Sequence, residues 1–253
     1  MPQVDPVQAS ETMPDATSVV VIGGGIAGVS TAFFLAQKGI PVVLCEKGLI
    51  GAERSSRNWG VGDFTDLANL LEYAAERGES AIGLNPLHAL FPDEPERASP
   101  YSPSTRLYCN PLYLDIEAIP EFARCTAACL LVSSYEFQRE LGRLRGTEQV
   151  AYAAAATLKY RVLRMLFETF ERSSSPSRRR AFSAYVEEQG RPLQRLGTFE
   201  RLRELRSAED LNQRDWRNWP AEYQDPDSAA VAAFAEKEAQ AIRFTAYLQW
   251  QID

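Results

Sequence analysis

The sequence predicts an α/β protein, and three patterns lead to that class. A β-branched run from Val19 to Ile22 enters a glycine-rich turn and then an amphipathic helical pattern, which is the order of a buried parallel strand and its crossover helix. Strand and helix patterns alternate as far as residue 84, and from about Val150 the pattern is almost entirely helical. We therefore expect a parallel sheet with helices, followed by a large helical region.

Composition narrows the classes of partner. The chain of 253 residues has a net charge of −7, which argues against nucleic acid or an anionic membrane as a partner and is compatible with a neutral sugar or a dinucleotide. Residues 1–17 are polar and contain prolines, without the charged and apolar regions of a signal peptide. We expect a disordered leader there. Free thiols without a secretion signal favour a cytoplasmic protein.

The metal-ligating residue types are sparse. The sequence has four cysteines and one histidine; Cys125 and Cys129 lie four residues apart, and His88 stands alone. A structural zinc site needs about four ligands, usually in recognisable His and Cys pairs. The sequence therefore predicts no metal, and His88 is interpreted as a structural residue.

Residues 18–60 form the first predicted unit, a βαβ arrangement. Its helix runs from Ile26 to Lys38, Gly39 ends that helix, and a second strand follows from Val42 to Cys45. Glycine is common just after a helix because it accepts the left-handed backbone that terminates the last turn. The second strand leads directly into Glu46.

A glycine motif, Gly23-x-Gly25-x-x-Gly28, lies between the first strand and its helix. The first glycine allows the tight turn, the second lets a pyrophosphate approach the backbone, and the third lets the helix pack on the strand. The phosphates would bind at the helix N-terminus, and Glu46 is placed to accept hydrogen bonds from a ribose. The unit is therefore predicted to be a Rossmann-like dinucleotide-binding segment.

This segment resembles the FAD-dependent oxidoreductases of the D-amino-acid oxidase and dehydrogenase type. Members of that family carry a phrase like Ser-Ser-Arg-Asn-Trp-Gly after the second strand, and residues 55–60 have that phrase. The resemblance implies FAD as cofactor, held by Gly23, Gly25, Gly28, Glu46, Lys47, Ser55, Ser56 and Arg57. It stops at residue 60, so the isoalloxazine ring has no second wall and we expect weak or vestigial binding.

Residues 61–149 form the next predicted segment. Asp63 caps a helix from Phe64 to Arg77, which Gly78 ends, and a short buried strand follows from Ala81 to Leu84. Residues 85–113 are predicted to form a long proline-rich loop, and loops of that length are usually functional.

Residues 150–253 are predicted to be helical, with two apolar stripes that must be buried. Ser173 to Arg180 is predicted to be a basic linker between helices. One stripe holds Leu158, Val162, Met165, Leu166 and Phe170, and the other holds Val231, Phe234, Ala241, Thr245 and Leu248. We expect these faces to pair with each other or to self-associate with a second chain.

Residues 57–253 resemble the bacterial 4-α-glucanotransferases, also called amylomaltase or disproportionating enzyme. The matching phrases are Arg57–Phe64, Gly83–Pro92, Ser99–Pro103, Asn110–Tyr113 and Tyr247–Trp250. The resemblance implies an incomplete (β/α)₈ barrel with a large helical insertion, and α-1,4-glucan or maltodextrin as the bound partner. It also implies that Tyr101 lines the donor subsite and that Ser99 and Asn110 shape the same loop. Asn85 is expected to bind substrate from the C-terminal end of a barrel strand, the face on which barrel active sites are built.

Both families carry an Arg-Asn-Trp-Gly-like phrase, so we interpret the chain as a chimera joined near residues 55–60. Retaining glucan transfer needs two carboxylates, yet the family's Arg-x-Asp-His phrase and its acid/base glutamate segment are absent from this sequence. We therefore expect an inactive glucanotransferase fragment with domains at 1–17, 18–60, 61–149 and 150–253. Two alternatives are an FAD-dependent oxidoreductase fragment and a non-catalytic helical interaction module.

Overall fold

A small parallel sheet and a larger, mainly helical body make up the protein, and the predicted α/β class is confirmed. The structure is a computed structural model that describes residues 17–22, 32, 35–45, 58–76, 78, 81–147 and 149–253. The chain divides into two units. The described residues of 1–53 and 67–85 belong to the first unit, and those of 54–66 and 86–253 belong to the second.

The sheet of the first unit has β1 (Val19–Ile22) between β2 (Val42–Cys45) and β3 (Ile82–Gly83), and all three strands are parallel. Val20 and Val21 of β1 are buried, as expected of a β-branched central strand. Both predicted strand positions around the glycine-rich turn are therefore correct. β3 was expected to be a buried strand, but it is only half-buried. Its two paired residues are too few to show a periodicity from which burial could be predicted.

Helix α1 (Phe64–Glu76) ends as the sequence predicts. Gly78 has φ +79 and Gly39, just before β2, has φ +70. A side chain would strain the backbone at both positions. Of the residues in α1, Ala74 is buried, while Leu71 is 48% exposed.

The predicted proline-rich loop contains a β-hairpin. β4 (His88–Ala89) pairs antiparallel with β5 (Thr105–Cys109), with an irregularity between His88 and Ala89. Three short 3₁₀ helices follow, at Pro111–Tyr113, Ile116–Ala118 and Phe122–Arg124. The segment between β4 and β5 is the longest irregular stretch of the predicted loop.

Seven α-helices follow in the described residues, and they begin earlier than predicted, at Thr126. They are α2 (Thr126–Ser133), α3 (Tyr135–Gly146), α4 (Tyr152–Ser173), α5 (Pro176–Glu209), α6 (Ala221–Gln224), α7 (Ala229–Lys237) and α8 (Ala239–Ile252). Across the part of the chain that the structure describes, no helix is both long and apolar enough to cross a membrane.

The predicted linker at Ser173–Arg180 is wrong. It is reduced to Ser174 and Ser175, because the Ser175 hydroxyl accepts a hydrogen bond from the Arg178 N–H at 3.3 Å and Pro176 occupies the first helical position. Serine at the cap and proline at the first turn start a helix. The polar composition that suggested a loop is therefore a helix start.

The main hydrophobic core of the second unit covers the first predicted stripe, and a smaller cluster forms around Leu202, Trp219 and Val231. Leu158, Val162, Leu166 and Phe170 of α4 are buried within the chain, as is Leu248 of α8. The same core contains residues from before residue 150: Trp59, Val61, Ala89, Leu114, Ile116, Phe137, Leu141 and Leu144. The helical region is therefore packed with the preceding segment rather than forming a bundle of its own.

Helix α5 is two helical segments joined at Gly190, whose φ of 56° and ψ of −138° are not helical. Positive φ favours glycine because it has no Cβ. The break also explains Pro192, which would disrupt a continuous helix but fits the first turn of the second segment.

The crossing of α5 and α8 depends on Gly197. A Cβ built on this glycine would lie 2.9 Å from Ile242 Cγ2 and 3.1 Å from the Ile242 carbonyl oxygen. We expect Gly197→Ala to lower the free energy of unfolding by about 1–2 kcal/mol, since the helices must separate. The matched control is Gly142→Ala in α3, where a Cβ meets nothing within 4 Å and alanine should stabilise the helix by about 0.5–1 kcal/mol. Urea unfolding of the two variants should give shifts of opposite sign.

Candidate functional site

The hairpin β4–β5 carries the loop in which the sequence places the candidate sugar-binding residues. The Ser104 N–H donates to the Ala89 carbonyl at 2.9 Å, and the Asn110 N–H donates to the Leu87 carbonyl at 2.9 Å. These backbone bonds hold the two ends of the loop together. The loop therefore begins and ends at the two paired strands of one hairpin.

Tyr101 is presented at the tip of a turn. The Ser102 N–H donates to the Ser99 carbonyl at 3.1 Å, so Tyr101 lies inside this turn, and its side chain is 56% exposed. Ser99 is also exposed. An exposed phenol ring offers an apolar face together with a hydroxyl. The structure thus brings Ser99 and Tyr101 together on one accessible turn.

Asn110 lies in the interior instead, with 4% of its surface exposed. Its Oδ1 accepts a hydrogen bond from the Leu112 N–H at 3.1 Å and caps the 3₁₀ helix Pro111–Tyr113. The amide nitrogen makes no hydrogen bond of ordinary geometry. Burial raises the pKa of the Tyr113 hydroxyl, and the nearby Asn110 side chain offsets part of that rise. Asn110 therefore fixes the end of the loop.

Asn85 belongs to the first unit, where it is exposed and follows β3 after one intervening residue. The predicted cofactor residues, Gly23, Gly25, Gly28, Glu46, Lys47, Ser55, Ser56 and Arg57, all lie outside the described residues. The strands that precede them are described: β1 ends one residue before Gly23, and β2 ends one residue before Glu46.

A buried lysine supports the hairpin's C-terminal side. Lys159 of α4 is 1% exposed, and its Nζ donates to the Leu112 carbonyl at 2.6 Å and to the Leu114 carbonyl at 2.9 Å. Gln249 of α8 donates to the Cys109 carbonyl at 2.9 Å. Two helices thus bind the backbone that follows the candidate loop. The bonds from the Lys159 ammonium are charge-assisted and therefore stronger than neutral ones.

A buried arginine anchors the loop at its beginning. Arg203 of α5 is 2% exposed; its guanidinium donates to the Asp93 carboxylate, and to the Glu94 carboxylate at 2.8 Å. The same guanidinium stacks on the Phe91 ring at 4.1 Å from the centroid. Arginine suits this task because its planar fork can engage two carboxylates and an aromatic face together. Residues 91–94 are therefore fixed to α5.

Sequence reasoning missed both anchors, although each left a signal. Lys159 lies next to Leu158 and three residues before Val162, within the buried stripe of α4. A lysine there is unusual, because buried lysines need a partner. Asp93 and Glu94 form an acidic pair inside a proline-rich loop, which signals a cation, but the sequence does not indicate which of the many arginines supplies it.

The loop suits binding more than acid–base chemistry. Its two adjacent carboxylates, Asp93 and Glu94, are both engaged by Arg203, and Tyr101 offers a ring and a hydroxyl. Burial raises the pKa of the Cys109 thiol in β5, which disfavours the thiolate that acts as a nucleophile. Among the residues that the structure describes, no three His, Cys, Asp or Glu side chains are grouped to hold a metal ion.

Comparison with known proteins decides the family. The family model described as 4-alpha-glucanotransferase matches residues 50–253. The chain belongs to the 4-alpha-glucanotransferase family. The 4-alpha-glucanotransferase of Haemophilus influenzae is 38% identical over 203 residues, which are 78% of this chain and 29% of that protein. The enzyme of the same name from Mycobacterium tuberculosis is 35% identical over 212 residues, 79% of this chain and 27% of that protein.

A solved structure from the same family agrees. The crystal structure of amylomaltase from Corynebacterium glutamicum superposes with a TM-score of 0.57 at 26% identity, and the match covers 94% of this chain and 27% of that chain. The present 4-alpha-glucanotransferase family member therefore spans less than a third of the length of these relatives.

The N-terminal part matches a different family. The model described as glucose inhibited division protein A matches residues 18–70. The methylenetetrahydrofolate--tRNA-(uracil-5-)-methyltransferase TrmFO of Synechocystis is 38% identical over 72 residues, which are 28% of this chain and 15% of that protein. The interpretation of the chain as two family segments, one upstream and one downstream, is confirmed.

Proposed function

We propose that this chain binds α-1,4-glucan, such as maltodextrin, through the turn that presents Tyr101, and that these 253 residues do not transfer a glucan segment by themselves. The observation that carries the proposal is the exposed Tyr101 ring on a loop fixed at both ends. A glucosyl unit has apolar C–H faces and peripheral hydroxyls, and a tyrosine can meet both. Anchoring by Arg203 and Lys159 limits the ordering cost of binding.

Family membership supplies the class of ligand. The relatives are named 4-alpha-glucanotransferases, and the Ser-Pro-Tyr phrase at residues 99–101 is the one that the resemblance connects with the donor subsite. Tyr101 would contact the sugar ring, and Ser99 would contribute to the same turn. Asn110 would act indirectly, by keeping the end of the loop in its position, and Asn85 is assigned to the glucan site by resemblance alone.

The proposed lack of transfer follows from the residues present. Retaining transfer requires a nucleophilic carboxylate and a second carboxyl group that acts as acid and then base. The sequence contains no Arg-x-Asp-His phrase, and its single histidine, His88, follows a leucine. In the candidate loop, Asp93 and Glu94 are both bound to Arg203, so neither carboxylate is available as the nucleophile or as the acid and base. The remaining activity is binding.

Binding and transfer can be measured separately. We expect Tyr101→Ala to weaken maltoheptaose binding about tenfold, equivalent to about 1.4 kcal/mol, whereas Tyr101→Phe keeps most of the affinity because it keeps the ring. Calorimetric titration measures the affinity. Tyr135→Ala is the matched control, since Tyr135 is 78% exposed on α3. Equal affinity in Tyr101→Ala and Tyr135→Ala would contradict the binding site.

The transfer assay uses maltotriose. We expect no release of glucose above the level of the Tyr101→Ala variant. Clear release by the unaltered chain would overturn the proposed lack of transfer without affecting the binding result.

A dinucleotide site in the first unit is the second candidate function. We infer it from the central position of β1 between two parallel strands and from the glycine motif that begins one residue after β1 ends. The resemblance implies FAD, and a flavin would supply redox chemistry when bound. We expect the purified protein to carry less than one equivalent of FAD, and Gly25→Val to abolish it, because a side chain there blocks the pyrophosphate. Flavin absorbance that is stoichiometric, or unchanged in Gly25→Val, would contradict this.

A further inference from the structure

A cleft lies in the helical part of the second unit, away from the hairpin loop. It has a volume of about 520 Å³ and is formed by the second segment of α5 together with residues 216–235. Small-molecule sites typically enclose about 300–1,000 Å³, so the cleft can hold a ligand of that size. None of its lining residues belongs to the loop around Tyr101.

Aromatic rings line the cleft and are held in place. The Trp219 indole N–H donates to the Gln213 carbonyl at 2.6 Å, and the ring packs against Phe199 at 5.6 Å between centroids. The Tyr223 ring is covered by the Arg206 guanidinium at 4.2 Å. Trp219 is 5% exposed, but Trp216 at the rim is 41% exposed. The cleft therefore combines fixed aromatic walls with one accessible indole.

Part of the lining is polar. Arg191 donates to Asp227 Oδ1 at 2.6 Å, and Arg195 donates to Asp227 Oδ2 at 2.7 Å. All three side chains are well exposed, and each guanidinium has five N–H donors, of which the carboxylate occupies only some. Gln194 and Gln224 add amide groups to the lining. The rim thus offers both donors and acceptors.

We propose that this cleft binds a second segment of α-1,4-glucan, separate from the segment at Tyr101. Aromatic faces suit the apolar side of a pyranose, and the ionic rim suits its hydroxyls, which both donate and accept. A neutral polyol fits better than an anion, because Asp227 lies between the two arginines. The proposal rests on the proposed function for its class of ligand only, since the cleft shares no residue with that site.

A second glucan contact would have a physical consequence. Two sites on one body convert the binding of the second segment of a long chain into an intramolecular event. Long maltodextrins that reach both sites would then bind more tightly than short ones. The cleft would select for chain length, while Tyr101 contacts the sugar at the loop.

Indole N–H signals in nuclear magnetic resonance spectra provide the test. The sequence has four tryptophans, Trp59, Trp216, Trp219 and Trp250, whose signals can be assigned by single replacements with phenylalanine. Titration of the full chain with maltoheptaose should shift the Trp216 and Trp219 signals and leave those of Trp59 and Trp250 in place. Trp216→Ala should weaken the affinity reported by Trp219 at least fivefold. Because Trp216 is outside the main hydrophobic core, the unchanged Trp59 signal checks that the variant folds.

The two sites can fail independently. Tyr101→Ala should leave the titration of Trp219 with maltotriose unchanged, since so short a ligand occupies one site at a time. An unchanged Trp219 affinity in Trp216→Ala, or no shift of either signal at saturating maltoheptaose, overturns the second site, whatever calorimetry shows for Tyr101. Cellohexaose, the β-1,4 counterpart, is the matched ligand, and equal shifts with it would overturn the assignment to α-glucan.

Discussion

Replacing Arg178 by methionine is expected to lower the free energy of unfolding by about 3–5 kcal/mol, because it leaves a buried carboxylate without its cation. Glu121 is 2% exposed; its Oε1 accepts from Arg178 Nε at 2.7 Å and its Oε2 from the Tyr247 hydroxyl at 2.9 Å. Arg178 also stacks on Trp250 at 4.1 Å. Burial, and then the charge of Glu121, raise the pKa of Tyr247, so its phenol stays protonated and cannot replace the lost positive charge.

The matched control uses the same substitution at an exposed pair. Arg143 lies 2.6 Å from Glu140 on the surface of α3, and exposed pairs contribute little, so Arg143→Met should unfold near the wild-type urea concentration. The double variant Glu121→Gln/Arg178→Met should recover part of the loss, because the buried charge is gone. If Arg178→Met is as stable as Arg143→Met, the buried pair does not support the fold.

Stability should also fall as the pH rises from 5 to 9, through the half-buried Glu200 of α5. Burial raises the pKa of Glu200 to about 8, the nearby Asp93 and Glu204 add to the rise, and a hydrogen bond from Thr245 opposes it. In the unfolded chain the carboxyl has its ordinary pKa of 4.5. Between these values the folded state keeps a proton that the unfolded state releases, so raising the pH favours unfolding until about pH 8.

The Glu200→Gln variant isolates this effect. Glutamine stays neutral and can still accept the hydrogen bond that the Thr245 hydroxyl donates at 3.1 Å. We expect the stability gained by Glu200→Gln to grow by about 2–3 kcal/mol between pH 5 and pH 9; the full shift would give about 5 kcal/mol, reduced by partial solvent contact. Urea unfolding at pH 5, 7 and 9 gives this difference, in which the other titrating groups largely cancel. A difference that does not change with pH would show that Glu200 ionises normally.

Local patterns explain which parts of the fold the sequence predicted well. β1, β2 and the glycine positions after helices were predicted because β-branching and positive φ are properties of single residues and their neighbours. The stripe of α4 was predicted because a long helix repeats its buried face many times. Such signals do not need knowledge of the rest of the chain.

The remaining features depend on contacts between distant residues. The β4–β5 hairpin joins strands of two and five residues, too short for alternation to be visible. At the candidate site, the Ser99–Tyr101 phrase could be found by resemblance, but the anchors Arg203 and Lys159 could not, because their partners lie 45 to 110 residues away. The cleft of Trp216 was missed for the same reason, since it is formed where the second segment of α5 packs against residues 216–235.

The pairing of β1 with β3 bears on how such a chain can arise. β1 lies in the segment that matches glucose inhibited division protein A, whereas β3 lies outside that match and inside the 4-alpha-glucanotransferase match. Their partners are Val20 with Ile82 and Val21 with Gly83, and parallel pairing uses backbone groups that every residue except proline carries in full. A strand edge therefore accepts a neighbour of foreign ancestry without a matching side-chain code. Segments from two different families can therefore share one sheet after a gene fusion. The backbone pairing of a strand does not depend on the family from which that strand comes.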